Sequence, residues 1–189
     1  RDCLLSRGLG DVYKRQGIIN WTSWMSNETT YGYAAAGPMP LADINFYNKI
    51  SDTDFRKLSW KAPAGSVLEG KNTYIDAATG AALPEYASLK FRPGSGNMSD
   101  FNVGSACSYP MMRVEEMYFI EAEAAAQQNP AQGVNLLNDF MSNHRDPHYK
   151  CTKSSKEDVV KEIVFQKRVE LWGEGQSFFD IKRLNLPVT

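Results

Sequence analysis

The chain has 189 residues, of which 42% are hydrophobic and 23% charged, and its formal net charge is -1. This composition is typical of a globular protein, and the length suits one domain. The near-zero charge and the lack of a basic run give no indication of nucleic-acid binding. No stretch approaches the ~18 consecutive apolar residues that a membrane-spanning helix needs.

The first residues of the chain, RDCLLSRGLGDVYKRQ, differ in pattern from those that follow. They have neither helical nor strand periodicity, and they lack the continuous apolar stretch and small-residue cleavage site of a signal peptide. Residues 11–16 resemble the translated read-through of a sequencing adapter. We therefore predict that residues 1–16 are not natural protein, and that residues 17–189 are the C-terminal part of a longer domain.

Residues 17–110 are expected to form ordered loops with short secondary-structure elements. Apolar side chains recur at helical spacing over residues 42–51 and predict a short helix there. Asp52-Thr53-Asp54 offers a cap for a further short turn. Residues 60–110 are rich in Gly, Pro, Ser and Ala, with a brief β-type run at 88–92. Loops are therefore predicted to dominate this half of the chain.

The pattern changes to long helices after Met111. One helix is predicted from about 113 to 128 and a second from about 131 to 143, each with one buried face. The expected inward side chains of the first are Val114, Tyr118, Ala122 and Ala125. Asn129-Pro130 interrupts the pattern. A break of about four residues predicts an antiparallel helical hairpin of the kind stacked in tetratricopeptide-like arrays.

Two further helices are predicted near the end of the chain. One spans about 156–172, where Ser154 and Glu157 have the spacing of a capping box and Gly173 is a natural left-handed stop. A closing helix spans about 177–184 and carries two adjacent phenylalanines. The sequence after residue 110 therefore predicts a helical domain.

Cysteine and histidine spacing gives no indication of a metal site or a cofactor. The three cysteines contain no CxxC pair, so we interpret them as unpaired small apolar residues, with a disulfide between Cys107 and Cys151 left open. His144 and His148 have the spacing of a helical metal pair, but Pro147 interrupts the helix between them. We predict no cofactor and no bound metal ion.

Three segments together carry a resemblance to one family. Residues 109–126, YPMMRVEEMYFIEAEAAA, place an Arg before a helix that ends in Ala-Glu-Ala, and residues 52–57 contain a TD-x-RK pattern. Residues 162–187, EIVFQKRVELWGEGQSFFDIKRLNLP, combine an Arg and Glu-Leu motif, an acidic Gly-containing turn and an aromatic-Asp-x-x-Arg motif. These segments resemble the signature segments of the SusD/RagB family, whose Arg-x-x-Glu-Leu motif has here Val169 as its single spacer. The residues in matching positions are Arg113, Glu116, Glu123, Arg168, Glu170, Glu174, Asp180 and Arg183.

The resemblance implies a mainly helical, SusD-like fold. It contains a tetratricopeptide-like helical hairpin, further helices, long loops and minor β structure, and this chain would be a part of that domain. The resemblance also implies a location at the outer-membrane cell surface, through a lipid anchor upstream of this chain. Family members pair with a SusC-like TonB-dependent transporter and hold an oligosaccharide, polysaccharide or peptide before import. They do not turn their ligands over.

The charged motif residues favour a structural interpretation. Asp180 and Arg183 are three positions apart on a predicted helix, a spacing that permits an ion pair. A guanidinium can bind two carboxylates at once, so Arg113, Arg168 and Arg183 are expected to tie the helical turns to each other. Contact with a ligand is the alternative for these arginines.

Aromatic residues in the first loop region are candidate ligand-binding residues. Trp21, Trp24, Tyr31 and Tyr33 are interleaved with asparagines, and such loops combine faces that stack on sugar rings with amides that bind hydroxyls. The alternative is that these aromatics pack a core beneath a long loop. If the loop binds a glycan, Trp24→Ala is expected to weaken that binding without unfolding the protein.

Two other functions remain possible interpretations of the sequence. Four glutamates at 115, 116, 121 and 123 suggest the paired acids of a glycosidase, but at helical spacing they point around several faces, as a solvated or ion-paired surface does. An intracellular helical-repeat adaptor that binds peptides would contain the same hairpin at residues 113–143. The resemblance favours a non-catalytic binding protein over both.

Overall fold

The computed structural model describes residues 25–30, 39–72, 75–107 and 111–187. Within these ranges the regular structure is helical, and β structure is limited to two isolated bridges. The α-helices are α1 (Ile44–Asn48), α2 (Ala77–Ala82), α3 (Phe101–Gly104), α4 (Val114–Gln128), α5 (Pro130–His144), α6 (Lys156–Glu170) and α7 (Ser177–Leu184). The prediction of a mainly helical fold with long loops and minor β structure is therefore confirmed.

The described residues form two compact units, each of which is treated by itself. The first unit contains the described residues up to 52 and those from 57 to 107. The second, here called the helical unit, contains residues 53–56 and 111–187. The prediction for residues 1–16 lies outside the described residues.

Aromatic side chains build much of the core of the first unit. Helix α1 begins where Asp43 Oδ1 accepts hydrogen bonds from two backbone N–H groups, so it is shorter than the predicted 42–51. It buries Phe46 and Tyr47 against Trp60, which is 1% exposed, with both ring pairs meeting edge to face at 5.8 and 6.5 Å. Offset and edge-to-face geometry is the favourable arrangement for such rings.

A short two-stranded contact orders the loops of the first unit. Lys61 N donates to Ala87 O over 2.9 Å, and Tyr86 N donates to Lys61 O over 2.8 Å. These bonds flank the antiparallel bridge between Trp60 and Ser88, and Ser88 is the first residue of the β-type run predicted over 88–92. Helix α2 lies between the two paired segments in the sequence and is capped by Asp76.

The helical unit is built on the hairpin of α4 and α5. Asn129 alone separates the two helices, instead of the predicted four residues, because it ends α4 and also caps α5. Its side chain accepts from Ala131 N over 3.1 Å, and Pro130 occupies the first position of α5, where a missing N–H costs nothing. The two helices approach closely at Gly133. An added Cβ there would lie 2.5 Å from Ala126 Cβ.

The buried face of α4 differs from the prediction. Ala122 is buried as expected, but Val114 and Tyr118 are 64% and 46% exposed. Phe119 and Ala126 take their place in a core with residues of α5 and α6. The predicted face was rotated by about one residue because the alanine-rich sequence of α4 places apolar side chains on several sides of the helix.

Helices α6 and α7 complete the helical unit. Ser155, not the predicted Ser154, caps α6 and accepts from Asp158 N over 3.2 Å. The helix ends at Glu170, shortly before Gly173, whose φ of 76° is the predicted left-handed stop. Helix α7 has the predicted bounds and ends at Asn185, in the left-handed region.

Cys107 and Cys151 are thiols rather than halves of a disulfide. Cys151 is buried in the core of the helical unit. None of the helices in the described ranges is long and apolar enough to cross a membrane.

Candidate ligand cavity and buried ion-pair network

A cavity of about 430 Å³ lies in the first unit between α2, the loop that precedes it and the bridge segment. This volume is in the range of small-molecule binding sites. Trp60, Leu68, Ile75 and Leu89 contribute to its apolar lining, and Ala77 and Ala81 contribute from α2. The cavity therefore offers an apolar surface with open access.

The rim of this cavity carries three carboxylates. Glu69 Oε2 accepts from Gly65 N over 2.7 Å, and Glu85 Oε1 accepts from Ala64 N over 2.8 Å, so both side chains are held by the loop backbone. The other carboxylate oxygen of each accepts no hydrogen bond from the described residues. Asp76 is the third. Hydrogen bonds from the Thr79 backbone and hydroxyl lower its pKa, so it is ionised at neutral pH.

Lys61 is the basic residue among the described residues that line the cavity. Its ammonium donates to the carbonyl oxygens of Ala81 and Leu83, at the end of α2. A cation in this position satisfies carbonyls that have no partner within the helix. Lys61 therefore stabilises the end of α2.

The aromatic residues predicted to bind a ligand, Trp21, Trp24, Tyr31 and Tyr33, lie outside the described residues. Their neighbour Asn27 is described and is 3% exposed. Its Nδ2 donates to Pro40 O over 2.9 Å and to Ser88 O over 3.0 Å. This asparagine is therefore part of the core of the first unit, and its amide nitrogen is not presented to a ligand.

A network of arginines surrounds Glu170 in the helical unit. Arg145 Nε and Nη2 donate to the Glu170 carboxylate over 2.8 and 3.0 Å, in a bidentate arrangement. Arg113 Nη1 donates to it over 3.2 Å, and Arg56 Nη1 over 3.3 Å. Three guanidinium groups from separate segments thus bind one carboxylate that is 7% exposed. Such charge-assisted, bidentate bonds are the stronger kind in proteins.

Two arginines of this Glu170 network also bind other carboxylates. Arg56 also binds Asp54, with Nη2 to Oδ2 at 2.6 Å, and Arg113 also binds Glu174, with Nε to Oε2 at 2.9 Å. Burial acts to raise the pKa of Glu170. Hydrogen bonds from Arg145 and the positive charges of the three arginines outweigh burial and lower that pKa to about 2. The carboxylate is therefore ionised over the physiological pH range.

A second group of ion pairs joins α7 to α4 and α6. Arg183 donates two parallel hydrogen bonds to the carboxylate of Glu123, at 2.5 and 2.6 Å, and a third to Asp180 over 2.8 Å. Lys167 Nζ donates to Asp180 over 3.2 Å and lies 3.7 Å from Glu116. The Asp180 and Arg183 spacing predicted to permit an ion pair does so. Side chains of three helices meet at these contacts.

Arg168 is placed differently from the other two arginines of the sequence motif. Its side chain is on the exposed face of α6, and it lines a smaller cavity with α7. Its neighbour Lys167 is 6% exposed and points to the ion pairs of Asp180. The buried cation of this helical turn is therefore Lys167.

Sequence patterns missed several residues of these sites. Arg145 caps the end of α5 and belongs to none of the family motifs. Its sequence signal is a cation directly before Asp-Pro. Glu69 and Glu85 of the cavity rim lie in the Gly- and Pro-rich loops, where no periodicity or spacing marks them. In the described part of the chain, no group of His, Cys, Asp and Glu is arranged to hold a metal ion.

The geometry defines a mainly helical protein with a ligand-sized cavity in its loop-rich unit and buried ion pairs in its helical unit. The sequence model of the SusD family matches residues 20–188. The chain therefore belongs to the SusD family.

One solved structure is similar in both fold and sequence. It is a SusD-like carbohydrate binding protein from Bacteroides vulgatus, with 27% identity and a TM-score of 0.58. The match covers 85% of this chain and 30% of that protein, so the chain spans less than a third of its length. No curated protein matches the chain in sequence.

Proposed function

We propose that this protein binds carbohydrate at the bacterial cell surface and passes it to a SusC-like, TonB-dependent transporter of the outer membrane, without catalysis. Membership of the SusD family over residues 20–188 is the observation that carries this proposal. The similar protein from Bacteroides vulgatus binds carbohydrate, which supports the ligand class. Surface location and lipid anchoring are inferred from the family.

The cavity of the first unit is the site that we propose for the ligand. A sugar ring has apolar C–H faces and a rim of hydroxyl groups. The apolar lining near Ile75 and Leu68 suits the faces, while Glu69 and Glu85 each retain a carboxylate oxygen that can accept from hydroxyls. The site is open to solvent, as capture of a polymer end or chain requires. Trp21, Trp24, Tyr31 and Tyr33 remain proposed contacts for the same ligand.

The absence of catalysis is proposed on chemical grounds as well. A glycosidase needs two carboxyl groups facing one bond, one of them protonated. In the helical unit, Glu115 pairs with Arg145 and Glu123 with Arg183, so the carboxylates of both predicted candidates are engaged in ion pairs between helical segments. The helical glutamates are therefore better suited to holding helices together than to general acid catalysis.

Binding and the role of the cavity are tested in one experiment. The 189-residue chain is screened against neutral, amino and uronic oligosaccharides, and the best ligand is titrated by calorimetry. A variant with Ala77→Leu and Ala81→Leu fills the cavity from α2. The matched control carries Ala78→Leu and Ala82→Leu, at exposed positions of the same helix that do not line the cavity.

The cavity-filling variant is expected to bind the ligand at least roughly tenfold more weakly, since leucines occupy space that the ligand uses. The control is expected to bind as the unsubstituted 189-residue chain does. Equal binding by all three would contradict the cavity as the site. No binding of any glycan, or release of shortened sugars during the titration, would contradict the proposed function itself.

A further inference from the structure

The negative charge at the rim of the cavity bears on which sugars can bind there. We propose that the cavity selects neutral or amino sugar units and rejects uronic and sulfated ones. This rests on the proposed function and adds the charge class of the ligand to it.

The rim groups that remain for a ligand are acceptors with negative charge. Glu69 and Glu85 each use one carboxylate oxygen to hold a loop amide, at 2.7 and 2.8 Å, and each has a second oxygen for the ligand. A carboxylate accepts hydrogen bonds and donates none. Hydroxyl and ammonium groups of a sugar satisfy these oxygens, and an ammonium group gains a charge-assisted bond.

Negative charge exceeds positive charge in the described lining of this site. Lys61 is the basic group in the described lining, and its ammonium already donates to the carbonyl oxygens of Ala81 and Leu83. Two of its three N–H donors are thereby in use. A carboxylate or sulfate on the ligand would face three carboxylates, Glu69, Asp76 and Glu85, and one ammonium, and this excess of like charge is unfavourable.

The rim is also built so that its charge can be removed without loss of its structure. Glutamine keeps a carbonyl oxygen that accepts from the same loop amides as Glu69 and Glu85 do. Asparagine at position 76 keeps the cap of α2, because aspartate and asparagine cap helices about equally well. The charge of the rim is thus separable from its fold.

The test uses tetrasaccharides with one backbone and different charge. Cellotetraose, the chitosan tetramer and C6-oxidised cellotetraose form the first set, and maltotetraose with its C6-oxidised form makes the second. Calorimetry gives the ratio of neutral to anionic affinity for the 189-residue chain, for Glu69→Gln with Glu85→Gln, and for Asp76→Asn. Glu121→Gln is the control, since it removes one exposed charge from α4, outside the cavity. Thermal melting checks that each variant is folded.

We expect the oxidised sugar to bind at least roughly tenfold more weakly than its neutral counterpart. Removing each rim carboxylate is expected to lower the ratio of neutral to anionic affinity by roughly two- to five-fold, which is the effect of an exposed charge pair. Glu121→Gln is expected to leave this ratio unchanged. Equal affinity for neutral and oxidised sugars would overturn the inference and leave the proposed function standing. A ratio of neutral to anionic affinity that the rim variants do not change would also overturn the inference and leave the proposed function standing. If no member of either set or of the wider screen binds, the proposed function fails and this inference with it.

Discussion

At the scale of single residues, buried charges of the helical unit are concentrated around Glu170. Glu170 is bound by Arg56, Arg113 and Arg145, which lie far apart in the sequence. A buried carboxylate is unfavourable alone, but with three guanidinium groups it is fully hydrogen-bonded. We infer that Glu170 fixes the arrangement of these segments, and the structural role that the sequence motif suggested for Arg113 stays a prediction.

Replacing Glu170 by glutamine is expected to destabilise the helical unit by roughly 3 kcal/mol, because three cations lose the charge that compensates them. Urea unfolding followed by circular dichroism measures the change. Glu121→Gln removes an exposed carboxylate from α4 and should change stability by no more than about 0.5 kcal/mol. Equal stability of the two variants would show that the Glu170 network contributes nothing.

The same residue predicts a pH dependence. The pKa of Glu170 is lowered from 4.5 to about 2 in the folded chain, so the unfolded chain binds the proton more tightly. Its stabilising contribution, roughly 3 kcal/mol, is present above pH 4.5 and is lost as the pH falls towards 2. Urea unfolding between these pH values should show this loss of stability in the unsubstituted chain and a smaller loss in Glu170→Gln. Parallel curves for the two proteins would contradict it.

At the scale of elements, the sequence predicted the helices well and the sites poorly. The periodicity and the Asn129-Pro130 break gave the hairpin and nearly its bounds, because helix signals are local. The predicted buried face of α4 was rotated relative to the observed one, because alanine side chains fit both buried and exposed faces of a helix. The cavity was not predicted, because its acids come from loops that long-range backbone pairing near Trp60 and Ser88 connects. Residues that long-range backbone pairing brings together have no characteristic spacing in the sequence.

The hairpin depends on Gly133, which allows α4 and α5 to approach. A methyl group there would meet Ala126 Cβ at 2.5 Å and the backbone oxygen of Ala122 at 2.8 Å, so the helices must move apart. Gly133→Ala is expected to destabilise the hairpin by roughly 1–3 kcal/mol, although alanine favours helix by about 1 kcal/mol. Gln132→Ala, at an exposed neighbouring position, is the control and should be nearly neutral. A more stable Gly133→Ala variant would refute the close approach.

At the scale of the whole molecule, the helical unit exposes large apolar side chains. Phe178 and Phe179 are 63% and 61% exposed on α7, and Met111 and Met112 are each 72% exposed before α4. Exposed apolar surface of this kind promotes association. The chain spans 30% of the length of its SusD-like relative.

We therefore expect the 189-residue chain to self-associate at micromolar concentration. Phe178→Ser with Phe179→Ser should weaken association by at least roughly tenfold, because each buried phenylalanine contributes about 1.5 kcal/mol or more. Lys182→Ser, on the same helix, is the control. Sedimentation velocity measures all three. A monomeric unsubstituted chain, or association that the double variant does not change, would contradict this expectation.

The most direct test of the proposed function is a crystal structure of the chain with the best-binding oligosaccharide of the screen. We predict a sugar unit in the cavity beside α2, with a hydroxyl or ammonium group donating to the carboxylate of Glu69 or Glu85. A sugar bound elsewhere, with the cavity empty, would contradict the site that we propose.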